Sequence, residues 1–198
     1  MTGTVGLILA GGEARRLGGI DKTLIEIRGT PILSIILERL QPQLDRIALG
    51  ANGDPSRFAA FGLPVLADER RGIGPLAGLL RGLDWAAAEG AESLLTVPGD
   101  TPFVPRDLLR ALAPAPAVAV SAGRRHHLVA LWPVAWRGAL AAYLDGLGPD
   151  TPRRAYGARA FSGSRDMREV VFGTEPGDPF FNVNTPEERA VAEAMAAR

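Results

Sequence analysis

The chain has 198 residues, 46% hydrophobic and 22% charged, with a formal net charge of zero at pH 7. That length suits one domain over residues 1–198 with a substantial core, and the charge balance gives no global field to attract nucleic acid or an anionic membrane. There are no cysteines, which excludes disulfide staples, thiolate metal sites and a cysteine nucleophile.

The first ten residues carry no basic region before their apolar run, and that run is too short for a signal-peptide core. No stretch reaches the roughly 18 apolar residues a membrane span needs. A cytoplasmic address with no membrane partner is expected.

Residues 5–9 form a nearly continuous apolar run, as in a strand buried on both faces. Residues 31–40 read as a helix, with Leu33, Ile36, Leu37 and Leu40 at helical spacing. Short strands follow at 46–49 and 64–66. Residues 75–88 are a helix with proline in its first turn, and Leu76, Leu79, Leu80 and Leu83 share one face. A buried strand at 93–97 leads into the turn Pro98-Gly-Asp-Thr-Pro102, then a helix over 105–112. Residues 117–121 and 127–132 look like two strands about a turn at Gly123, an antiparallel addition. Residues 134–147 read as helical, and 170–172 as a last strand. The stretch 148–163, rich in Gly, Pro and Arg, shows no readable pattern. Thr185-Pro-Glu-Glu188 opens a final helix with a capping box.

No internal repeat or interdomain linker interrupts this alternation. Strands alternating with helices through short loops predict an α/β fold: a doubly wound, mainly parallel sheet with helices on both faces. Ligands of such sheets bind at the carboxyl ends of the strands. The loops after Leu9 and Val97 both leave such ends, so they are expected on one rim.

The first loop contains Gly11, Gly12, Gly18 and Gly19, with Arg16, and closes at Lys22. Lys22 is the only lysine among 22 basic residues. A composition so strongly arginine would place arginine here too, unless a compact, flexible ammonium is required. Glycines let backbone amides wrap phosphate oxygens closely, and the two cations supply the opposing charge. The loop is neither a Walker P-loop nor a dinucleotide fingerprint. Gly72-Ile-Gly74 fits the latter loosely, but Pro75 removes an amide donor.

Asp100, at the tip of a buried strand opposite this cradle, suits magnesium, which is usually held by one or two carboxylates plus substrate phosphates. Its bland alternative is an Asx turn or helix start. Asn182 and Asn184 alternate, so on extended chain both carboxamides point one way, toward a ligand or into local turns. His126 and His127 are the only histidines. As strand neighbours they face opposite sides, so at most one faces the site. Trp85, Trp132 and Trp136 are expected in packing.

Taken in order, Leu9-Ala-Gly-Gly through Asp21-Lys22, Asp68, Gly74-Pro-Leu-Ala-Gly78, Pro98-Gly-Asp-Thr-Pro102 and Phe181-Asn-Val-Asn-Thr-Pro186 resemble the molybdenum cofactor guanylyltransferases. The resemblance implies a Rossmann-like nucleotidyltransferase fold and transfer of GMP from GTP to the terminal phosphate of molybdopterin, with release of pyrophosphate and Mg2+ as cofactor. It places phosphate binding on Leu9, Ala10, Gly11, Arg16 and Lys22, the metal on Asp100, and further nucleotide contacts on Gly12, Gly18, Asp68, Gly74 and Gly78. Lys22, Asp100 and Arg16 become the catalytic set. Asn182, Asn184 and His126 become candidates for the pterin side. Gly50 stands where relatives often carry a nucleoside-binding asparagine, which makes Asn52 the candidate substitute. GTP and molybdopterin are the implied partners, with transient contact to cofactor-synthesis or acceptor proteins. Cytidylyl transfer to the same pterin, transfer to a sugar phosphate, and a non-catalytic nucleotide-binding module are the alternatives.

Overall fold

A computed structural model describes residues 3–10, 21–68, 74–148 and 150–197. Its first strand, β1 (Thr4–Leu9), is the run Thr-Val-Gly-Leu-Ile-Leu, buried along its middle. A hairpin follows, β2 (Glu26–Ile27) and β3 (Thr30–Pro31). Arg28 and Gly29 between them have φ of 51° and 79°, the doubly positive pair that a two-residue hairpin turn requires. The helix expected over 31–40 would begin at this proline. In fact α1 (Ile32–Leu40) starts one residue later, after Pro31 has paired with Glu26.

β4 (Ile47–Gly50) and β5 (Val65–Leu66) flank a 3-10 segment, Pro55–Phe61, capped by the Asp54 side chain. Then come α2 (Pro75–Ala88) and β6 (Ser93–Pro98). Of the helix expected over 105–112, only α3 (Leu108–Leu112) is α-helical. β7 (Ala117–Ser121) and β8 (Arg124–Pro133) form the anticipated antiparallel pair, with β8 extending three residues further upstream than read. A 3-10 turn, Val134–Trp136, leads into α4 (Arg137–Asp145). The unreadable stretch holds a 3-10 turn, Arg153–Tyr156, and α5 (Ala158–Ser162). β9 (Arg168–Val171) and α6 (Pro186–Met195) complete the order, α6 with both halves of its capping box formed.

The main sheet runs β5-β4-β1-β6-β8-β7-β9. β1 is parallel to β4 and β6, β4 to β5, and β7 to β9; only β8 is antiparallel to its neighbours. Alternate strand residues feed two cores. Ile8, Leu95 and Val97 point to the face covered by α1, α3 and α6. Val5, Leu7 and Leu94 point to the face covered by α2, α4 and α5. The layers are therefore helix, sheet, helix.

Gly82 lets α2 lie flat on this sheet, because a Cβ there would sit 2.4 Å from Leu7 Cδ2. Trp132 is fully buried and its indole N–H donates to Thr96 Oγ1 at 2.8 Å. A buried indole needs such a partner, so this tryptophan is core, as expected.

Candidate active site

β1 pairs with β4 on one side and β6 on the other, so the chain leaving β1 and the chain leaving β6 diverge at a crevice in the middle of the sheet. This is the switch point at which doubly wound sheets bind ligands. The rim is stitched by backbone: Gly99 N–H donates to Leu9 C=O at 2.9 Å and Ala10 N–H to Gly50 C=O at 2.8 Å. Gly99 has no room for a side chain, since a Cβ would lie 2.3 Å from Thr23 Cγ2.

Thr23 is buried and belongs to the 3-10 turn Lys22–Leu24. Asp21 caps that turn, accepting from Thr23 N–H at 3.2 Å and from its hydroxyl at 2.7 Å. The other Asp21 oxygen accepts from Arg57 Nε at 3.1 Å. The stem of Lys22 thus emerges from a fixed turn, and its ammonium donates to Asn184 Oδ1. Asn184 is fixed in turn by the capping box of α6, because the Glu188 carboxylate accepts from both Asn184 N–H (2.7 Å) and Thr185 N–H (3.0 Å).

Two residues upstream, the Asn182 carboxamide donates to Asp100 Oδ1 at 2.7 Å and lies 3.1 Å from Thr101 Oγ1. Val183 N–H bonds Asp100 C=O at 2.9 Å. One extended segment therefore holds the lysine with one carboxamide and the aspartate with the other. Lys22 and Asp100 line a single cavity of about 170 Å³, together with Leu9, Gly50, Asp68 and Gly78. Ala10 and Gly74 also line it. Arg16, Gly11, Gly12 and Gly18 lie outside the described residues.

Asn52 and Asp68 form a reciprocal pair on the same rim. Asn52 Nδ2 donates to Asp68 Oδ2 and Asp68 N–H to Asn52 Oδ1, both at 2.8 Å. Among the described residues no cluster of three or more His, Asp or Glu is gathered for a metal. The metal test falls on Asp100 alone. Its Oδ1 is held by Asn182, while Oδ2 has no hydrogen-bond partner among the described residues. One restrained carboxylate with an oxygen that no described residue engages, in a cavity shared with Lys22, fits magnesium, which draws its remaining ligands from phosphates and water.

A second cavity, about 350 Å³, adjoins the first and shares Pro75, Pro98 and Leu128 with it. Its origin is a bulge. Val118 pairs with Ala130 but Ala119 with His126, so His127, Leu128 and Val129 have no partner on β7. β8 also parts from β6 beyond Ala130. The bulge breaks strand alternation, and both histidines line this cavity with Arg124 and Arg159. Regular alternation would turn the two histidines to opposite sides of the strand; the bulge lets both line this one cavity. His127 Nδ1 bonds Ser162 Oγ at 2.7 Å. Arg159 comes from the stretch whose sequence had no readable role. That stretch also abuts the start of α2: Gly74 has φ +70°, and a Cβ there would meet Tyr156 C=O at 3.1 Å.

Burial, then Arg124, pushes the His126 imidazole below its ordinary value, with Asp178 opposing; burial, Arg125 and Arg159 do the same for His127. The unfolded chain therefore binds protons near pH 6.5 that the folded chain refuses. Stability present above that pH is expected to fall as the solution is acidified toward pH 5. Urea midpoints at pH 7.5 and 5.5 check this. Replacing both histidines with glutamine should shrink the difference, and an unchanged difference would refute the assignment.

Residues 6–162 match the MobA-like NTP transferase domain. A molybdenum cofactor guanylyltransferase of Acidiphilium cryptum is 53% identical over 189 residues, covering 95% of this chain and 93% of that one. The chain belongs to the molybdenum cofactor guanylyltransferase family. Among solved structures, Rv0371c of Mycobacterium tuberculosis H37Rv superposes with a TM-score of 0.72 at 25% identity over 98% of both chains. Molybdopterin-guanine dinucleotide biosynthesis protein A of Archaeoglobus fulgidus gives 0.67 at 20% identity, again over 98% of both. Both solved structures share the fold of this chain along nearly its whole length. Several residues that build the site here, Asp21, Thr23, Arg57 and Arg159, escaped the sequence reading. Only Asp21-x-Thr23, a local capping pattern, carried a legible signal.

Proposed function

We propose that the protein transfers GMP from GTP to the terminal phosphate of molybdopterin and releases pyrophosphate. One observation carries the reading: Lys22 and Asp100, 78 positions apart in the chain, line one cavity and are gripped by a single Asn-Val-Asn segment.

Attack at the α-phosphorus requires positioning and charge neutralisation more than covalent help. The Lys22 ammonium stabilises negative charge as it builds on phosphorus and the departing pyrophosphate. Asp100, oriented by Asn182, would hold a divalent cation, for which we infer Mg2+. Bound there, the metal supplies Lewis-acid polarisation of the phosphate oxygens. Asn52 and Asp68, braced by their two mutual bonds, face the nucleoside. The second cavity, with Arg124 and Arg159 in its lining, suits a phosphate-bearing acceptor. Among the described residues no helix is long and apolar enough to cross a membrane, and we place the reaction in the cytoplasm.

The test is a pyrophosphate-release assay with molybdopterin, Mg2+ and each of GTP, CTP, ATP and UTP in competition. Release driven by GTP, and dependent on both acceptor and cation, is expected. Equal or better use of CTP, or no release with any nucleotide, would overturn the reading. Within it, Asp68→Ala is expected to raise the GTP KM by about tenfold with kcat nearly unchanged, the scale of one lost hydrogen bond to a charged group. An unchanged KM would remove Asp68 from the nucleoside site.

A further inference from the structure

Ser121 is fully buried at the end of β7, although it is polar. Its hydroxyl donates to Asp178 Oδ1 at 2.7 Å and lies 2.7 Å from His126 Nε2. A hydroxyl carries one hydrogen, and a carboxylate oxygen can only accept. The Ser121 hydrogen is therefore spent on Asp178, and the serine oxygen must accept from His126. That fixes the imidazole with its hydrogen on Nε2. The ring plane is held as well: His126 packs on buried Phe180 with centroids 4.8 Å apart, and Phe180 is wedged edge-on against Phe172.

The anchor of this relay is itself fixed. Asp178 Oδ1 also accepts from Phe180 N–H at 2.9 Å, and Asp178 C=O accepts from Phe181 N–H at 3.1 Å. Asp178 opens the segment that continues to Asn182 and Asn184, so the relay ties the acceptor-side cavity to the two carboxamides on Asp100 and Lys22.

His126 lines the second cavity, and with Nε2 engaged, Nδ1 is the ring nitrogen without a hydrogen-bond partner among the described residues. We propose that Asp178 and Ser121 are positioning residues that lock His126 as its Nε2–H tautomer, presenting Nδ1 as an obligate hydrogen-bond acceptor for an N–H donor on the heterocycle of the acceptor substrate. This rests on the reading of the second cavity as the acceptor site. Nearby cations agree with it: burial and Arg124 disfavour the imidazolium, so Nδ1 stays bare at neutral pH, while Asp178 opposes and His127 adds to the effect.

The experiment has two arms on the full-length protein. The first is ¹⁵N NMR of the imidazole nitrogens, which needs no substrate. His126 is expected as the Nε2–H form in the wild type and as a tautomer mixture in Ser121→Ala and Asp178→Asn. A wild-type Nδ1–H form, or no change in either variant, overturns the lock. A buried serine or aspartate with a purely structural role would not move this signal.

The second arm measures initial rates. Ser121→Ala and Asp178→Asn are each expected to raise the KM for molybdopterin about tenfold, the effect of one misaligned hydrogen bond, while the GTP KM and kcat stay within about twofold. His126→Phe should match them. Unchanged molybdopterin KM in an active enzyme defeats the proposal and leaves GMP transfer standing. A wild type that turns over no molybdopterin defeats the functional reading and leaves the tautomer result to decide the lock alone.

Discussion

Lys22→Ala is expected to lower kcat for GMP transfer by about 10²-fold or more, the scale of a lost preorganised electrostatic stabiliser. The ammonium is no free surface charge. Its turn is capped by Asp21, packed through Thr23 under Gly99, and its tip is held by Asn184. Because Lys22 belongs to no core cluster, the thermal midpoint should barely move, which separates loss of chemistry from loss of fold. Lys22→Arg is expected to be impaired almost as severely. A planar guanidinium cannot occupy the same point charge position against a carboxamide and a phosphate together, and a chain otherwise furnished with arginine has kept lysine here. Asn184→Ala keeps the charge and removes only its tether, so a smaller loss, about tenfold, is expected. Steady-state rates at saturating GTP check all three. Near-normal turnover in Lys22→Ala would remove the residue from the mechanism.

Much of this site was legible because it is local. The seven strands of the main sheet, the long helix after Gly74 and the capping box at Thr185 announce themselves through periodicity or residue type, and the crevice then follows from the parallel topology. Asn182 and Asn184 were legible as a same-side pair, since extended chain alternates strictly. What each holds was not, because Asp100 lies 82 residues away from Asn182 and Lys22 lies 162 from Asn184. Nothing local encodes such distances. The second cavity was illegible for a different reason. It depends on the three-residue bulge at His127–Val129, where strand alternation, the very rule applied to the histidines, stops holding. The hairpin at 26–31 was hidden by its brevity: two residues per strand are too few to show a period, and only Gly29 marks the turn. Arg159 stayed hidden because its neighbours offer arginines in abundance and no pattern to choose among them.

The second large effect is expected at Asp100. Asp100→Asn keeps the shape and removes the charge. The new carboxamide oxygen can still accept from Asn182 Nδ2, and the Val183 N–H bond to the backbone carbonyl of residue 100 is untouched. The rim should therefore stay folded. What is lost is the carboxylate oxygen that, among the described residues, no hydrogen bond uses, and with it the protein's share of cation binding. Turnover at a fixed magnesium concentration should fall about 10²-fold or more, and the magnesium concentration giving half-maximal rate should rise, because the deficit lies partly in metal affinity. Asn182→Ala tests the same carboxylate from the other side. It leaves the charge in place and frees its orientation, so a loss of about tenfold, with a modest rise in the magnesium requirement, is expected. The order of the two variants is the decisive reading. If Asn182→Ala damages turnover as much as Asp100→Asn, the carboxamide does more than orient the aspartate. If Asp100→Asn turns over almost normally at unchanged magnesium, the cation is held elsewhere and the proposed division of labour between Asp100 and Lys22 collapses.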